Sequence, residues 1–95
     1  MLQDNIKKSI KEAMLERDAV RLETLRGMSA AFVNELVARS RKPDETLSEE
    51  EALAVVKRLV KQHKKSIEQF KLGQREDLVR QEEAELKILE SYLPV

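Results

Sequence analysis

The chain of 95 residues has no cysteine and no tryptophan, and it contains only two glycines, two prolines, two phenylalanines and one tyrosine. Without cysteine there is no disulfide framework, no thiolate nucleophile and no cysteine-based zinc site. Charged residues interrupt the N-terminus where a signal peptide needs an apolar core. No apolar run approaches the roughly 18–20 residues of a membrane span. We therefore expect a reduced, cytoplasmic protein with no membrane partner.

The composition of the chain is typical of helical proteins, and the chain has no net charge. Hydrophobic residues make up 41% of the chain and charged residues 38%, and 18 basic residues balance 18 acidic ones. A neutral chain has no global field that attracts nucleic acid or anionic lipid, so any site for a polyanion must be a local patch. The length suits one small domain, which we assign to residues 1–95.

Apolar residues recur every three or four positions along four segments, with charged residues on the opposite faces. The link between the last two segments, Gly73-Gln74, is so short that the two helices must pack antiparallel. We therefore expect an all-α fold, a small four-helix bundle whose last two helices form an antiparallel hairpin. The predicted helices run from Leu2 to about Glu16–Arg17, from Asp18 to about Arg39, from Glu49 to about Leu72, and from about 75–77 to Pro94.

Local signals mark the ends of these helices. Asp18 suits the N-cap of the second helix, and Ser48 with Glu51 has the spacing of a capping box that opens the third. Gly73 is expected to supply the left-handed residue at the end of the third helix. Inside the second helix, glycine costs about 1 kcal/mol relative to alanine. We therefore expect Gly27 to admit a close approach of the first helix.

One face of the third helix is basic. At about 100° per residue its cations fall within an arc of roughly 140°, over about 20 Å of helix. Such an array can follow the phosphates of a nucleic acid. The alternative is a solvated face with no partner. No aromatic residue interleaves with the cations, so base stacking is not predicted. The candidate nucleic-acid contacts are Lys57, Arg58, Lys61, Lys64, Lys65 and Lys71.

Two polar residues, His63 and Glu82, project from the apolar stripes of the third and fourth helices. Both lie where these helices pack together, so we expect their side chains to reach ion-pair distance. Such a pair can act as an acid–base couple or as two metal ligands. The alternative is a structural ion pair that sets the register of the hairpin. Because we expect the other carboxylates on exposed faces, and the chain has no second histidine, no metal site is predicted.

No catalytic group is predicted either. None of the serines or threonines stands in a nucleophile-elbow context. The two glycines are isolated from each other, so no loop cradles a phosphate. The sequence therefore indicates a protein that is not an enzyme and that uses no cofactor.

Several motifs in the second half of the chain are found together in one known family. They include Gly-x-Arg-x-Asp-Leu over 73–78 and Tyr-Leu-Pro over 92–94, with Ser-Ile-Glu over 66–68 and glutamates at 82 and 85 in register. With the segments 17–18 and 22–26, they make nearly the whole chain resemble the YqeY-like family. The fold of that family is similar to the tail domain of GatB, the B subunit of the glutamine-dependent aspartyl/glutamyl-tRNA amidotransferase.

The resemblance implies a helical module linked to tRNA-dependent amidation. In GatB the tail holds tRNA, and amide transfer takes place in other domains. Relatives usually carry a second small helical module after the Leu-Pro, which we expect to be absent from a chain that stops at Val95. His63 is a further departure, because relatives often carry arginine there.

The expected function is therefore that of a non-catalytic module that binds tRNA or assists tRNA-dependent amidation. The alternative is a protein–protein interaction module that docks on an amidotransferase or a synthetase. A contiguous basic patch on the folded surface favours the first role, and an exposed apolar patch of more than a few hundred Å² favours the second.

Overall fold

The computed structural model describes residues 1–94. Within that range the chain forms four helices and no strand: α1 (Leu2–Glu16), α2 (Ala19–Ala38), α3 (Glu49–Leu72) and α4 (Glu76–Glu90). The short link between α3 and α4 makes these helices an antiparallel hairpin. The predicted all-α, four-helix fold is confirmed.

Two of the helix starts are capped by the side chains that the sequence suggested. The carboxylate of Asp18 accepts a hydrogen bond from the backbone N–H of Arg21 at 3.1 Å. At the start of α3, the hydroxyl of Ser48 accepts from the N–H of Glu51 at 3.1 Å, and Glu51 Oε1 accepts from the N–H of Ser48 at 2.8 Å. Each cap pairs backbone donors that a helix N-terminus leaves free.

The turn between α3 and α4 differs from the prediction by one residue. Gly73 has an ordinary φ of −82°, and the left-handed conformation belongs to Gln74, with φ 57°. The N–H of Arg75 donates to the carbonyl of Phe70 at 2.9 Å, which closes the turn. Left-handed geometry costs a non-glycine residue about 1–2 kcal/mol, and this hydrogen bond offsets part of the cost. The prediction for Gly73 is therefore wrong.

The fourth helix ends earlier than predicted: it ends at Glu90, whereas we expected it to include Leu93 and to be stopped by Pro94. The hydroxyl of Ser91 donates to the carbonyl of Ile88 at 2.5 Å. The chain then continues in tighter turns, with the N–H of Leu93 donating to the carbonyl of Glu90 at 3.1 Å. In a continuous helix the ring of Pro94 would clash with the carbonyl of Glu90, and the residue before a proline avoids the helical region. The last turn before Pro94 is therefore not α-helical.

The main core lies where α1, α2 and the first half of α3 meet, and the end of α4 covers one side. Phe32 is completely buried at its centre, and burial of a side chain of this size contributes about 1.5–3 kcal/mol. Two further buried residues, Ile67 and Val79, lie outside this cluster, on the α3–α4 hairpin. The hairpin thus has a small packed region of its own beyond the main core.

The connector between α2 and α3 is fastened to the start of α1. Leu47 is buried, and its N–H donates to the buried Gln3 Oε1 at 2.7 Å. The N–H of Leu2 donates to Glu49 Oε2 at 3.0 Å. The first bond pairs a donor of the connector and the second pairs a donor in the first turn of α1, and neither donor has a partner within a helix. Together they hold the first turn of α1 against the connector and the first turn of α3.

Gly27 does not serve the close helix contact that we expected. A Cβ atom added at this position would meet no other atom within 4 Å, and the residue is exposed. Gly27 instead lines a cavity of about 110 Å³ together with residues of α3 and α4, among them Leu59, His63 and Glu85. The prediction is wrong because Gly27 faces this cavity and not the surface of α1.

Candidate functional site

The six predicted nucleic-acid contacts all lie on the surface of α3. Lys57, Arg58, Lys61, Lys64, Lys65 and Lys71 are exposed. Because α3 is a continuous helix, the angle about the helix axis between any two of these side chains is set by their spacing in the sequence. We call this surface, defined by those six residues, the basic face.

Two members of the basic face already pair with carboxylates. Arg58 Nη2 lies 3.1 Å from Glu35 Oε1, and Lys64 Nζ lies 3.9 Å from Glu90 Oε2. Hydrogen bonds from Arg39 and then Arg58 hold the pKa of Glu35 below its ordinary value, so Arg58 contributes to the contact between α2 and α3. Within residues 1–94, the other four cations have no carboxylate within 4.0 Å: Lys57, Lys61, Lys65 and Lys71.

An acidic residue divides the basic face. Glu68 is exposed on α3, and at about 100° per residue it lies within the same arc as the lysines. Lys71 is therefore separated from the others by a negative charge. The continuous part of the basic face runs from Lys57 to Lys65, which is about 12 Å along the helix axis. The position of Glu68 among the lysines is visible in the sequence, but the prediction of the basic face considered only the cations.

An open groove of about 430 Å³ adjoins the basic face. It is lined by Gln62, Lys65, Ser66, Gln69 and Phe70. Amide and hydroxyl groups can donate hydrogen bonds to phosphate or sugar oxygens. Phe70 is half-buried and lines this groove together with Lys65.

A second cluster lies on the opposite side of α3, at its interface with α4. His63 Nε2 is 3.2 Å from Glu82 Oε2, the approach that the angular positions predicted. The same nitrogen is 3.1 Å from Glu85 Oε1. The other ring nitrogen, Nδ1, lies 3.0 Å from the carbonyl of Leu59. About one fifth of each of the three side chains is exposed. We call His63, Glu82 and Glu85 the polar cluster.

Glu85 is the member of this cluster that sequence reasoning missed. We expected the carboxylates other than Glu82 on exposed faces, and the structure corrects this. Residues three apart on a helix lie on the same side, so the spacing between Glu82 and Glu85 was the available signal. Three ligand-type atoms, one from each residue, lie within 4.8 Å of one another.

A third charged group, Arg39, Arg41 and Glu51, has a structural role. Arg41 Nη1 lies 2.9 Å from Glu51 Oε1, and Arg39 Nη1 lies 3.0 Å from Glu51 Oε2. The hydrogen bond from the N–H of Ser48, followed by that from Arg41, lowers the pKa of Glu51 to about 2. This group joins the end of α2 to the start of α3.

The fold and these clusters define a class of protein, a small all-α domain with a basic helix face. The chain belongs to the YqeY-like family, because the family model described as Yqey-like protein matches residues 3–95. The resemblance inferred from the hairpin motifs is confirmed.

Curated relatives that match the chain include fungal proteins named altered inheritance of mitochondria protein 41, mitochondrial. The chain is 37% identical over 90 residues to the protein from Lachancea thermotolerans, a match that covers 94% of this chain and 46% of the relative. It is 39% identical over 93 residues to the protein from Kluyveromyces lactis, covering 95% and 49% respectively. The chain therefore spans about half the length of the curated relatives it matches.

The prediction of a cytoplasmic protein is wrong in the light of these relatives, which are named as mitochondrial. That prediction rested on the lack of cysteine, on the charged residues of the N-terminus and on the lack of a long apolar segment. None of these properties distinguishes the cytoplasm from a mitochondrial compartment. Within residues 1–94, no helix is both long enough and apolar enough to cross a membrane.

Proposed function

We propose that this domain is a non-catalytic tRNA-binding module, accessory to tRNA-dependent amidation, and that its contact surface is the continuous part of the basic face. The observation that supports the proposal is the set of three exposed lysines without carboxylate partners among the described residues, Lys57, Lys61 and Lys65. Unpaired ammonium groups bind phosphates without first giving up an ion pair. Membership of the YqeY-like family supports the link to amidation by resemblance only.

The spacing of these lysines suits a backbone of phosphates. They recur every four residues, so their attachment points follow one another at about 6 Å along the helix axis. Each lysine that neutralises a phosphate releases condensed counterions, which gives affinity that depends on salt. Contacts of this kind recognise shape and charge, and they position a folded RNA without reading its sequence.

Neighbouring residues extend this surface. The groove beside Lys65 presents the side chains of Gln62, Ser66 and Gln69. These groups can donate to sugar hydroxyls or phosphate oxygens next to the lysines. Phe70, half-buried in the same groove, offers an apolar edge to an unpaired base.

A pair of matched double variants tests the proposal. Lys57→Glu with Lys61→Glu reverses two charges on the basic face, and we expect it to abolish tRNA binding without unfolding the domain. Lys7→Glu with Lys11→Glu makes the same change in charge at two exposed, four-apart lysines of α1 and serves as the control. Fluorescence anisotropy of labelled tRNA measures affinity, and circular dichroism checks the fold. Equal affinities for the two variants would refute the assignment of the surface.

A second candidate function has one observation in its favour. Met14, Leu15 and Val20 are 52%, 86% and 46% exposed at the corner between α1 and α2. Exposed apolar side chains contribute to a protein-binding surface when they form a contiguous patch. The occupant under this alternative is an amidotransferase or a synthetase. Purified partner would then bind with or without tRNA, and Leu15→Lys would weaken that complex while Lys57→Glu with Lys61→Glu would not.

A further inference from the structure

We propose that the polar cluster, His63, Glu82 and Glu85, is a binding site for one divalent transition-metal ion of the zinc type. One imidazole nitrogen and two carboxylate oxygens from two facing helices converge on a common point. Imidazole and carboxylate ligands together suit zinc and its neighbours, whereas magnesium and calcium favour oxygen ligands alone. The site is separate from the basic face and is independent of the proposed tRNA binding.

The backbone fixes which nitrogen of the His63 ring carries a proton. Nδ1 lies 3.0 Å from the carbonyl oxygen of Leu59, which can only accept a hydrogen bond, so Nδ1 carries a proton. In the neutral ring, Nε2 then carries a lone pair. That lone pair faces Glu85 Oε1 at 3.1 Å and Glu82 Oε2 at 3.2 Å. Three electron-rich atoms so close together need a cation among them: either a proton, on Nε2 or on one of the carboxyl groups, or a metal ion.

A proton and a metal ion satisfy the cluster differently. A proton on Nε2 makes one good hydrogen bond, and its geometry here favours Glu85. Glu82 Oε2 lies 3.2 Å from the same nitrogen, yet it is left buried with no hydrogen-bond partner, the only side-chain atom of the described residues in that condition. A single proton joins only two of the three atoms wherever it sits, and a buried oxygen without an aligned donor is unfavourable. A metal ion bonds all three atoms at once, so it satisfies the oxygen that a proton does not.

Two of the three distances within the cluster are close to those between zinc ligands. Ligand atoms placed tetrahedrally at about 2.0–2.2 Å from zinc lie about 3.3–3.6 Å from one another. The observed separations from His63 Nε2 are 3.1 and 3.2 Å, and all three ligand atoms lie within 4.8 Å of one another. Binding therefore requires the two glutamate side chains to turn so that their oxygens reach tetrahedral separation around the ion.

The surroundings of the cluster have the features of a supported metal site. Ligating histidines usually donate their second ring N–H to a carbonyl or a carboxylate, which fixes the ring, and Leu59 fills that role. Gln81 Nε2 donates to Glu85 Oε2 at 3.3 Å and so orients that carboxylate.

Open space adjoins two of the three ligands. His63 and Glu85 line the cavity of about 110 Å³ beside α2, and Gly27 leaves one wall of it free of side-chain atoms. A cavity of this size holds water. Three protein ligands with one open position is the arrangement of zinc sites that exchange a water or a small ligand.

The test uses the chain after removal of metal with EDTA, titrated with Zn²⁺ alone by calorimetry. We expect one ion per chain. Each of Glu82→Gln and Glu85→Gln should weaken binding by at least about tenfold, since even groups that only support a ligand change affinity by 10–100-fold. Glu83→Gln removes an exposed carboxylate from the same helix and should leave the affinity unchanged. Co²⁺ should bind at the same site and give a visible absorption spectrum that Glu85→Gln alters.

A further variant separates the metal site from a purely structural ion pair. His63→Arg places a permanent positive charge between the two carboxylates, so the domain should stay folded while zinc binding is lost. Nitrogen-15 NMR of the imidazole in the wild-type chain should show Nε2 change its state on addition of Zn²⁺ while Nδ1 keeps its proton. The proposal is overturned if the wild-type chain binds no stoichiometric Zn²⁺, if His63→Arg binds as tightly, or if Nε2 keeps its proton at saturation.

Discussion

Replacing Gly27 by alanine should make the domain more stable. Glycine inside a helix is unfavourable by about 0.8–1.0 kcal/mol relative to alanine, mainly because glycine has more conformational freedom in the unfolded chain. Gly27 is in the middle of α2 and does not have a positive φ. A Cβ at this position meets nothing within 4 Å. No steric cost therefore opposes the gain.

The size of the stabilisation follows from the difference in helix propensity between alanine and glycine. We expect the free energy of unfolding to rise by about 1 kcal/mol, which for a domain of this size raises Tm by about 4–8 °C. Thermal and urea unfolding followed by circular dichroism at 222 nm measure both quantities, and the m-value should not change. Ala30→Gly, at an exposed position of the same helix, is the matched control and should lower stability by a similar amount.

A destabilised Gly27→Ala variant would refute the reasoning. It would mean that a neighbour approaches Gly27 more closely than the structure shows, as the sequence first suggested. If Gly27→Ala left the stability unchanged while Ala30→Gly lowered it, the conclusion would be the same. A steric cost at Gly27 would then have to cancel the stabilisation expected from the higher helix propensity of alanine. Stabilisation would show that the space beside Gly27 accepts a methyl group, and that Gly27 is not needed for the packing of α1 on α2.

Two further substitutions test the contacts that hold the start of α3 in place. Gln3→Met should lower the free energy of unfolding by about 1–3 kcal/mol, because the buried N–H of Leu47 loses its only acceptor; urea unfolding measures it. Glu51 has its pKa lowered from 4.5 to about 2 by Ser48 and Arg41. A carboxyl group with a lowered folded-state pKa stabilises the protein above pH 4.5, and this stabilisation is lost as the pH falls toward 2. Glu51→Gln should therefore flatten the fall of Tm between pH 4.5 and 2.

Both changes have matched controls at exposed positions. Gln62→Met removes an exposed glutamine of α3, and Glu50→Gln removes an exposed carboxylate next to Glu51. Neither should shift stability by more than about 0.5 kcal/mol. A loss from Gln62→Met equal to that from Gln3→Met would show that the hydrogen bond to Leu47 is not the cause. Equal pH profiles for Glu51→Gln and the wild type would show that Glu51 is not a source of the acid sensitivity.

The features that could be predicted from the sequence are set by residues close to one another in the sequence, within one helix or across one short turn. Asp18 and the Ser48–Glu51 box cap helices within three residues of themselves, and helical periodicity brought His63 to Glu82. Such features need only the geometry of a single helix and a short turn. They were enough to predict four helices and the hairpin.

Other features depend on how helices meet, which local spacing does not reveal. The openness beside Gly27 depends on where α3 and α4 lie relative to α2. The bond from Leu47 to Gln3 joins residues 44 positions apart. Glu85 was missed because its burial depends on the angle of α4 against α3, although its spacing from Glu82 was visible.

The central claim is that the continuous part of the basic face binds tRNA through phosphates. The most direct measurement is an anisotropy titration of labelled tRNA with the wild-type chain at 50, 100 and 200 mM salt, with an unrelated duplex for comparison. Three to four lysine contacts predict a slope of log K against log salt of about −2 to −3.5. We expect saturable binding with a preference for tRNA and a slope in that range, reduced by about one unit when Lys61 is replaced by alanine. No binding at 50 mM salt, or a slope that Lys61→Ala leaves unchanged, would contradict the account.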